Sequence, residues 1–290
     1  MKKFNIPFGQ PTIDKKEIDS TVKVLGQPKL VHGKVVEKFE KKFKNFVGSK
    51  YALSVGSCTA GMHLAYIALG IGKGDEVIVT SQTHVATAHT IEFVGAKPIF
   101  VDCETQTGNI DINLIEKKIT SKTKAISIVH FIGIPVDMDK LLYLKKKYKL
   151  FIIEDCALAL GSKIGSKHVG AIGDIGSFSF YPIKHITTIE GGMVTTNNIK
   201  IADIIRRTRA FGYNRVGLKS SFLYDVDLLG YNYRMNEIES VIGLMQMTKL
   251  KNILSKRKSN FNHYKKLFHQ NQFFTYLDSK RKKCVNSYYC

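Results

Sequence analysis

This 290-residue chain lacks paired cysteines, has few acidic residues and contains no long apolar run. Its five cysteines, Cys58, Cys103, Cys156, Cys284 and Cys290, are odd in number and form no C-x-x-C pair. That argues against a zinc cluster and against the disulfide framework of a secreted domain. No apolar stretch approaches the ~20 residues that span a bilayer, and the amino end, Met1 to Gly9, has no apolar core of a secretory signal. The expectation is a cytoplasmic protein with no membrane partner. Internal repeats and low-complexity linkers are missing too.

Acidic residues are scarce: 24 Asp plus Glu stand against 44 Lys plus Arg, a formal net charge of +20. Such an excess invites nonspecific binding to nucleic-acid phosphates. Yet the lysines are spread through 38–44, 116–118 and 145–149, which read as outer faces of amphipathic helices, and no nucleic-acid module accompanies them. The expectation is therefore no nucleic-acid partner. The surplus either attracts a nucleotide-bearing substrate or reflects a lysine-rich composition, and the sequence leaves both open.

With 44% hydrophobic and 10% aromatic residues, the chain can bury a full α/β core. Apolar runs at Tyr51–Val55, Glu76–Thr80, Pro98–Val101, Ala125–Val129, Leu150–Glu154, Ser177–Tyr181 and Met193–Thr196 read as strands. Helical patterns lie between or after them, at Thr59–Leu69, Val85–Val94, Ile112–Ile119, Met138–Tyr148 and Ile199–Ala210. Strands alternating with helices predict a mainly parallel sheet covered on both faces. Ile238, Val241, Ile242, Leu244, Met245, Met247 and Leu250 continue as a long helix leading out of that domain.

Three segments carry chemistry. Lys184 follows the apolar run Phe178-Ser179-Phe180-Tyr181 and precedes Glu190-Gly191-Gly192, a setting in which partial burial makes a lysine a nucleophile toward an aldehyde. Asp155 ends the run Phe151-Ile152-Ile153-Glu154, at the carboxyl end of a strand, where a carboxylate can hold a cationic ring nitrogen; a helix N-cap is the alternative. Ser57-Cys58-Thr59-Ala60-Gly61 leads small residues into a helix start, where backbone N–H groups favour an anion. It is not a P-loop, since no Lys-Ser/Thr pair follows at the required spacing. A phosphate site, a carboxylate for a ring nitrogen and an amine for an aldehyde are what pyridoxal phosphate requires.

The order and context of these segments, with Gly70 to Val79, Val94 to Asp102 and Lys184 to Gly192, resemble the DegT/DnrJ/EryC1/StrS aminotransferases. The resemblance runs from about Phe8 to about Leu250. It implies an aspartate-aminotransferase-like large domain (fold type I) with a seven-stranded, mainly parallel sheet, and pyridoxal phosphate as cofactor. It also implies transfer of an amino group, with L-glutamate as donor, onto a nucleotide-linked keto-deoxysugar in glycan biosynthesis. By this resemblance residues 1–30 form an amino-terminal segment, 31–245 the cofactor-binding domain, and 246–290 the start of a small carboxyl-terminal domain that is incomplete.

The resemblance further implies individual roles. Lys184 takes the cofactor's aldehyde and shuttles the proton; Asp155 keeps the pyridine nitrogen protonated. The Thr59 hydroxyl, the N–H groups of Thr59 and Ala60, and the Ser179 hydroxyl hold the phosphate. His84 takes the place of an aromatic ring that stacks on the cofactor, with a solvent-facing helix start as the alternative. Asn232, in Gly230-Tyr231-Asn232-Tyr233-Arg234, binds the phosphate of a partner's cofactor in a homodimer with shared sites, or else belongs to a helix-entry loop that satisfies local backbone groups. Leu158 departs from the family, which often has Gln or His there; a lost hydrogen bond is worth about 0.5–1.5 kcal/mol. Two rivals stay open. Related sugar dehydratases replace the lysine by histidine, and His185 sits beside Lys184; a folded but noncatalytic remnant would also fit the early carboxyl terminus. Cys58 and Cys156 adjoin the site without a base to activate either thiol.

Overall fold

A computed structural model describes residues 7, 9–214, 225–268, 277 and 284–287. Asp14 opens helix α1 (Lys15–Leu25) with a capping box, its carboxylate accepting from Lys16 N while Glu17 Oε2 accepts from Asp14 N. Helix α2 (Lys34–Val47) buries Val36, Phe39, Phe43 and Val47 at helical spacing. Its first N–H groups lack a side-chain cap of their own. The buried carboxylate of Glu237 serves instead, accepting from Gly33 N, Val35 N and Val36 N at 3.0–3.1 Å.

Strand and helix then alternate: β1 (Tyr51–Val55), α3 (Cys58–Ala68), β2 (Glu76–Thr80), α4 (Val85–Phe93), β3 (Lys97–Val101), α5 (Ile112–Ile115), β4 (Thr123–Val129), α6 (Met138–Tyr148) and β5 (Phe151–Asp155). The short strands β6 (Lys163–Ile164) and β7 (Lys167–His168) precede β8 (Ile175–Ser179), β9 (Gly192–Thr196) and α7 (Ile199–Thr208). The two-residue pair β10 (Tyr213–Asn214) and β11 (Asp225–Val226) flanks the way to α8 (Glu237–Phe268), and β12 (Cys284–Val285) is the last described strand.

The seven-stranded sheet has the order β1-β9-β8-β5-β4-β2-β3. Four of its pairings are parallel, and β9 runs antiparallel to both β1 and β8. This is the mainly parallel sheet that the alternation predicts. Apolar clusters on both faces bury it: Leu64, Tyr66 and Ile91 on the α3 side, and Phe39, Phe43, Phe178 and Phe180 under α2 and α8. Ile126, Ile128, Leu141 and Ile152 fill the space under α6.

Two expected elements differ. The strand expected over Ser177–Tyr181 ends at Ser179, because Phe180 N turns to Gly191 O and Phe180 O accepts from Thr188 N, closing a loop that carries Lys184. The helix expected over Ile112–Ile119 gives way after Ile115 to a 3₁₀ turn, Glu116–Lys118, which buries none of its side chains. Helix α8 is continuous through Met245 and Gln246. Gln246 is buried and donates to Thr12 O and Glu17 Oε1, which ties α8 to α1. Among the described residues no helix is long and apolar enough to cross a membrane.

Candidate active site

The carboxyl ends of β4, β5 and β8 and the start of α3 meet around one cavity of about 500 Å³. Ligands in open α/β sheets bind at this edge. Thr59, His84, Asp155, Ser179 and Lys184 all line it. Ala60 and Asn232 line a smaller neighbouring cavity of about 170 Å³, and Ser57 and Thr59 belong to both.

Helix α3 starts here because Ser57 caps it, its Oγ accepting from Ala60 N at 3.0 Å. The strand opposite approaches closely: a Cβ at Gly192 would lie 2.6 Å from Ser57 C and 2.7 Å from Cys58 N, so only glycine fits. Of the two backbone donors expected to hold phosphate, the Ala60 N–H is engaged by Ser57, and an anion must displace that bond to use it. The first-turn N–H groups of Cys58 and Thr59 have no intrahelical acceptor by helix geometry and point toward the same edge.

Asp155 is 6% exposed. Its Oδ2 accepts from Thr87 Oγ1 at 2.8 Å, and its Oδ1 accepts from Ala157 N at 3.0 Å. The bond to Ala157 is the local turn that an N-cap reading anticipates, yet a turn and not a helix follows. Cys58 Sγ lies 3.9 Å from Oδ1, and burial followed by that carboxylate pushes its thiol far above the ordinary range. Cys58 is therefore a protonated neighbour and no nucleophile.

Lys184 is half-buried, and burial lowers its ammonium pKa below the ordinary lysine value while the Asp155 carboxylate opposes that shift. His84 caps α4, its Nδ1 accepting from Ala86 N at 3.2 Å, and it lines the cavity as well. The helix-start and ligand-facing readings of this exposed residue thus coexist. Ser179 Oγ accepts from Tyr181 N at 3.4 Å. Leu158 lies on the cavity wall beside Val129, Phe131 and Ile183 and offers only contact there.

Sequence reading missed Ser57, Thr87, Tyr181 and Glu190, all of which line the cavity. Ser57 carried a signal, a serine directly before the helical pattern. Thr87 carried one too, since it lies three residues after His84 and so on the same helical face.

Neighbouring polar groups sort out by their partners. Glu154, next to Asp155, is structural: it accepts from Gly170 N, Ile172 N, Gly173 N and His130 Nε2 at 2.6–3.0 Å. His130 Nδ1 accepts from Val136 N, so both ring nitrogens are used. The buried group His130, Glu154 and Cys156 has metal-like proximity but no free ligand atoms on the first two. His185 is 3% exposed and does not line the cavity; its Nε2 donates to Ser287 O at 3.1 Å.

A buried, donor-fixed carboxylate, a half-buried amine and a helix start on one cavity complement a pyridinium nitrogen, an aldehyde and a phosphate. The residues present fit pyridoxal phosphate. The profile of the DegT/DnrJ/EryC1/StrS aminotransferase family matches residues 11–290. The chain belongs to that family. It is 42% identical over 262 residues to the GDP-perosamine synthase of Escherichia coli O157:H7, a match that covers 90% of this chain and 71% of that one. It is 38% identical over 283 residues to the UDP-4-amino-4,6-dideoxy-N-acetyl-beta-L-altrosamine transaminase of Campylobacter jejuni strain 81-176, covering 96% of this chain and 73% of the relative. Helicobacter pylori PseC, an aminotransferase involved in the biosynthesis of pseudoaminic acid, superimposes with a TM-score of 0.92 at 32% identity, over 99% of this chain and 76% of that one. A Streptococcus pneumoniae aminotransferase in its PLP form gives 0.91 at 29% identity, over 99% and 77%. The aspartate-aminotransferase-like fold and the pyridoxal-phosphate dependence expected from the sequence are both borne out, and this family member is an aminotransferase.

Proposed function

We propose that this aminotransferase moves an amino group from L-glutamate to a keto-deoxysugar carried on a nucleotide, in polysaccharide biosynthesis. The observation that carries the reading is that Lys184 and Asp155 line one cavity at the capped start of α3. The sugar substrate is supported by relatives named as perosamine and altrosamine enzymes and by a Bacillus subtilis spore coat polysaccharide biosynthesis protein, 39% identical.

When bound, pyridoxal phosphate supplies an electron sink for the carbon that loses its proton. Asp155 keeps a proton on the ring nitrogen, helped by the Thr87 and Ala157 donors that hold its carboxylate. Lys184 would hold the aldehyde and serve as the proton-moving base, and its lowered pKa raises the fraction of neutral amine. Thr59, Ser179 and the α3 start would hold the phosphate, and His84, which lines the same cavity, would supply a ring to stack on the cofactor. Val129, Phe131, Leu158 and Ile183 exclude water from the reacting atoms.

In this reading the active unit is a homodimer, with Asn232 reaching the partner's phosphate. Asn232 lies beside Phe93, which is 57% exposed, a fitting edge for a subunit contact. A cytoplasmic site of action is supported by the four described cysteines, all unpaired.

Visible absorbance with added pyridoxal phosphate, for the native chain and Lys184→Ala, tests the reading. A band that needs Lys184 and bleaches with L-glutamate, then returns with a nucleotide keto-sugar, is the expected result. A folded protein with no band would overturn it in favour of a noncatalytic role.

A further inference from the structure

The loop that presents Lys184 is held from outside the sheet. Lys184 N donates to Tyr181 O at 2.9 Å within the loop, and Arg257 of α8 reaches Lys184 O at 3.5 Å. The next residue, His185, is buried and donates from Nε2 to the carbonyl of Ser287 at 3.1 Å. Ser287 itself is 1% exposed and uses its other groups on two more loops. Its N–H donates to Gly133 O at 3.3 Å, after β4, and its hydroxyl donates to Leu158 O at 3.0 Å, after β5. The fit is tight, because Gly133 has φ +83° and a Cβ there would collide with Ser287 Oγ. Just before it, β12 pairs with β6 and fixes the register of this carboxyl-terminal segment. One residue thus joins the loop carrying the lysine to the loops carrying Phe131 and Leu158, which line the cavity.

We propose that His185 is a positioning residue for Lys184: its bond to the Ser287 carbonyl ties the lysine loop to the carboxyl-terminal segment and, through it, to the loops after β4 and β5. The inference rests on Lys184 being the reactive amine. His185 is suited to the task because a carbonyl only accepts, so Nε2 carries the proton, and burial with the nearby Arg257 keeps the ring neutral, its pKa pushed down to about 3. The tie therefore persists at any working pH. Misplacing a reacting group by about an ångström costs on the order of a hundredfold in rate.

The test compares His185→Phe, which keeps a ring and loses the donor, with His185→Gln, whose amide N–H replaces Nε2. His185→Asn, too short to reach Ser287, serves where the Phe variant does not fold. In cofactor-free protein, competitive acetylation of Lys184 across pH, read by mass spectrometry, gives the pKa and reactivity of its amine. In the cofactor-loaded protein, kcat and KM for the amino donor are measured. The donor-deleting variant is expected to raise the Lys184 pKa by about one unit and to lower kcat about 10- to 100-fold with KM within about threefold, and His185→Gln to recover most of both. A folded variant that melts at lower temperature but leaves the Lys184 pKa and kcat unchanged overturns the inference, as does equal impairment by Phe and Gln. The underlying reading fails separately, if Lys184→Ala still fixes cofactor covalently on borohydride treatment.

Discussion

Ile189 holds φ at +75°, in the left-handed region that a β-branched residue enters only under strain. It sits between the lysine loop and Glu190 on the cavity edge, and it is 56% exposed, so its side chain adds little burial. Left-handed backbone costs an L-residue about 1–2 kcal/mol, and glycine gives back part of that through its freer unfolded chain. Ile189→Gly should therefore raise stability by about 1 kcal/mol, read from the urea midpoint. Thr87 gives a second prediction. Thr87→Val removes one of the donors that hold the Asp155 carboxylate, and cofactor binding should weaken about tenfold in a visible titration, with Thr87→Ser restoring it. Lys184 and Asp155 were legible because Asp155 ends an apolar strand run and Lys184 follows one by a few residues. The part played by Thr87 was not, because a threonine in a helix says nothing about which carboxylate its hydroxyl meets.

Helix α2 shows what an element can owe to a distant residue. Its N-cap, Gly33, has no side chain to offer, and Glu237 from the first turn of α8 fills the place with three backbone hydrogen bonds. Replacing that carboxylate by a neutral amide removes its interaction with the helix dipole and turns one acceptor oxygen into a donor facing N–H groups. Glu237→Gln should destabilise the fold by about 2 kcal/mol, measured by thermal or urea unfolding. Helices and strands with strong apolar periodicity stand where the pattern puts them, within one or two residues. Helix α1 was not read from the sequence, and two elements are shorter than expected: Phe180 leaves β8 for Gly191, and the 3₁₀ turn replaces the end of α5. The pair β6 and β7 is too short to show any period.

Across the whole molecule, buried imidazoles set the response to acid. Burial pushes His185 down to about 3 and His168 to about 4, and lowers His63 as well, from an unfolded value near 6.5. Between those values the unfolded chain binds more protons than the folded one, so stability rises with pH and is lost as pH falls below about 6.5. Urea midpoints should drop on going from about pH 7.5 to about pH 5, and His168→Gln should flatten part of that slope. A midpoint independent of pH over this interval would contradict the burial of these rings.

The sequence by itself determined the alternation of the seven sheet strands with helices, the sheet class, the family, and five residues that line the cavity, because each rests on local periodicity or a short motif. Tertiary structure alone decided that the Thr87 hydroxyl holds the Asp155 carboxylate, 68 residues away. It also decided that Asn232 borders the α3 start, that Glu154 serves a loop while its neighbour Asp155 serves the cavity, and that His185 turns from the cavity to Ser287, 102 residues away. Local pattern shows which side chains can bury or donate; only the packed chain brings donor and acceptor from distant segments within bonding distance.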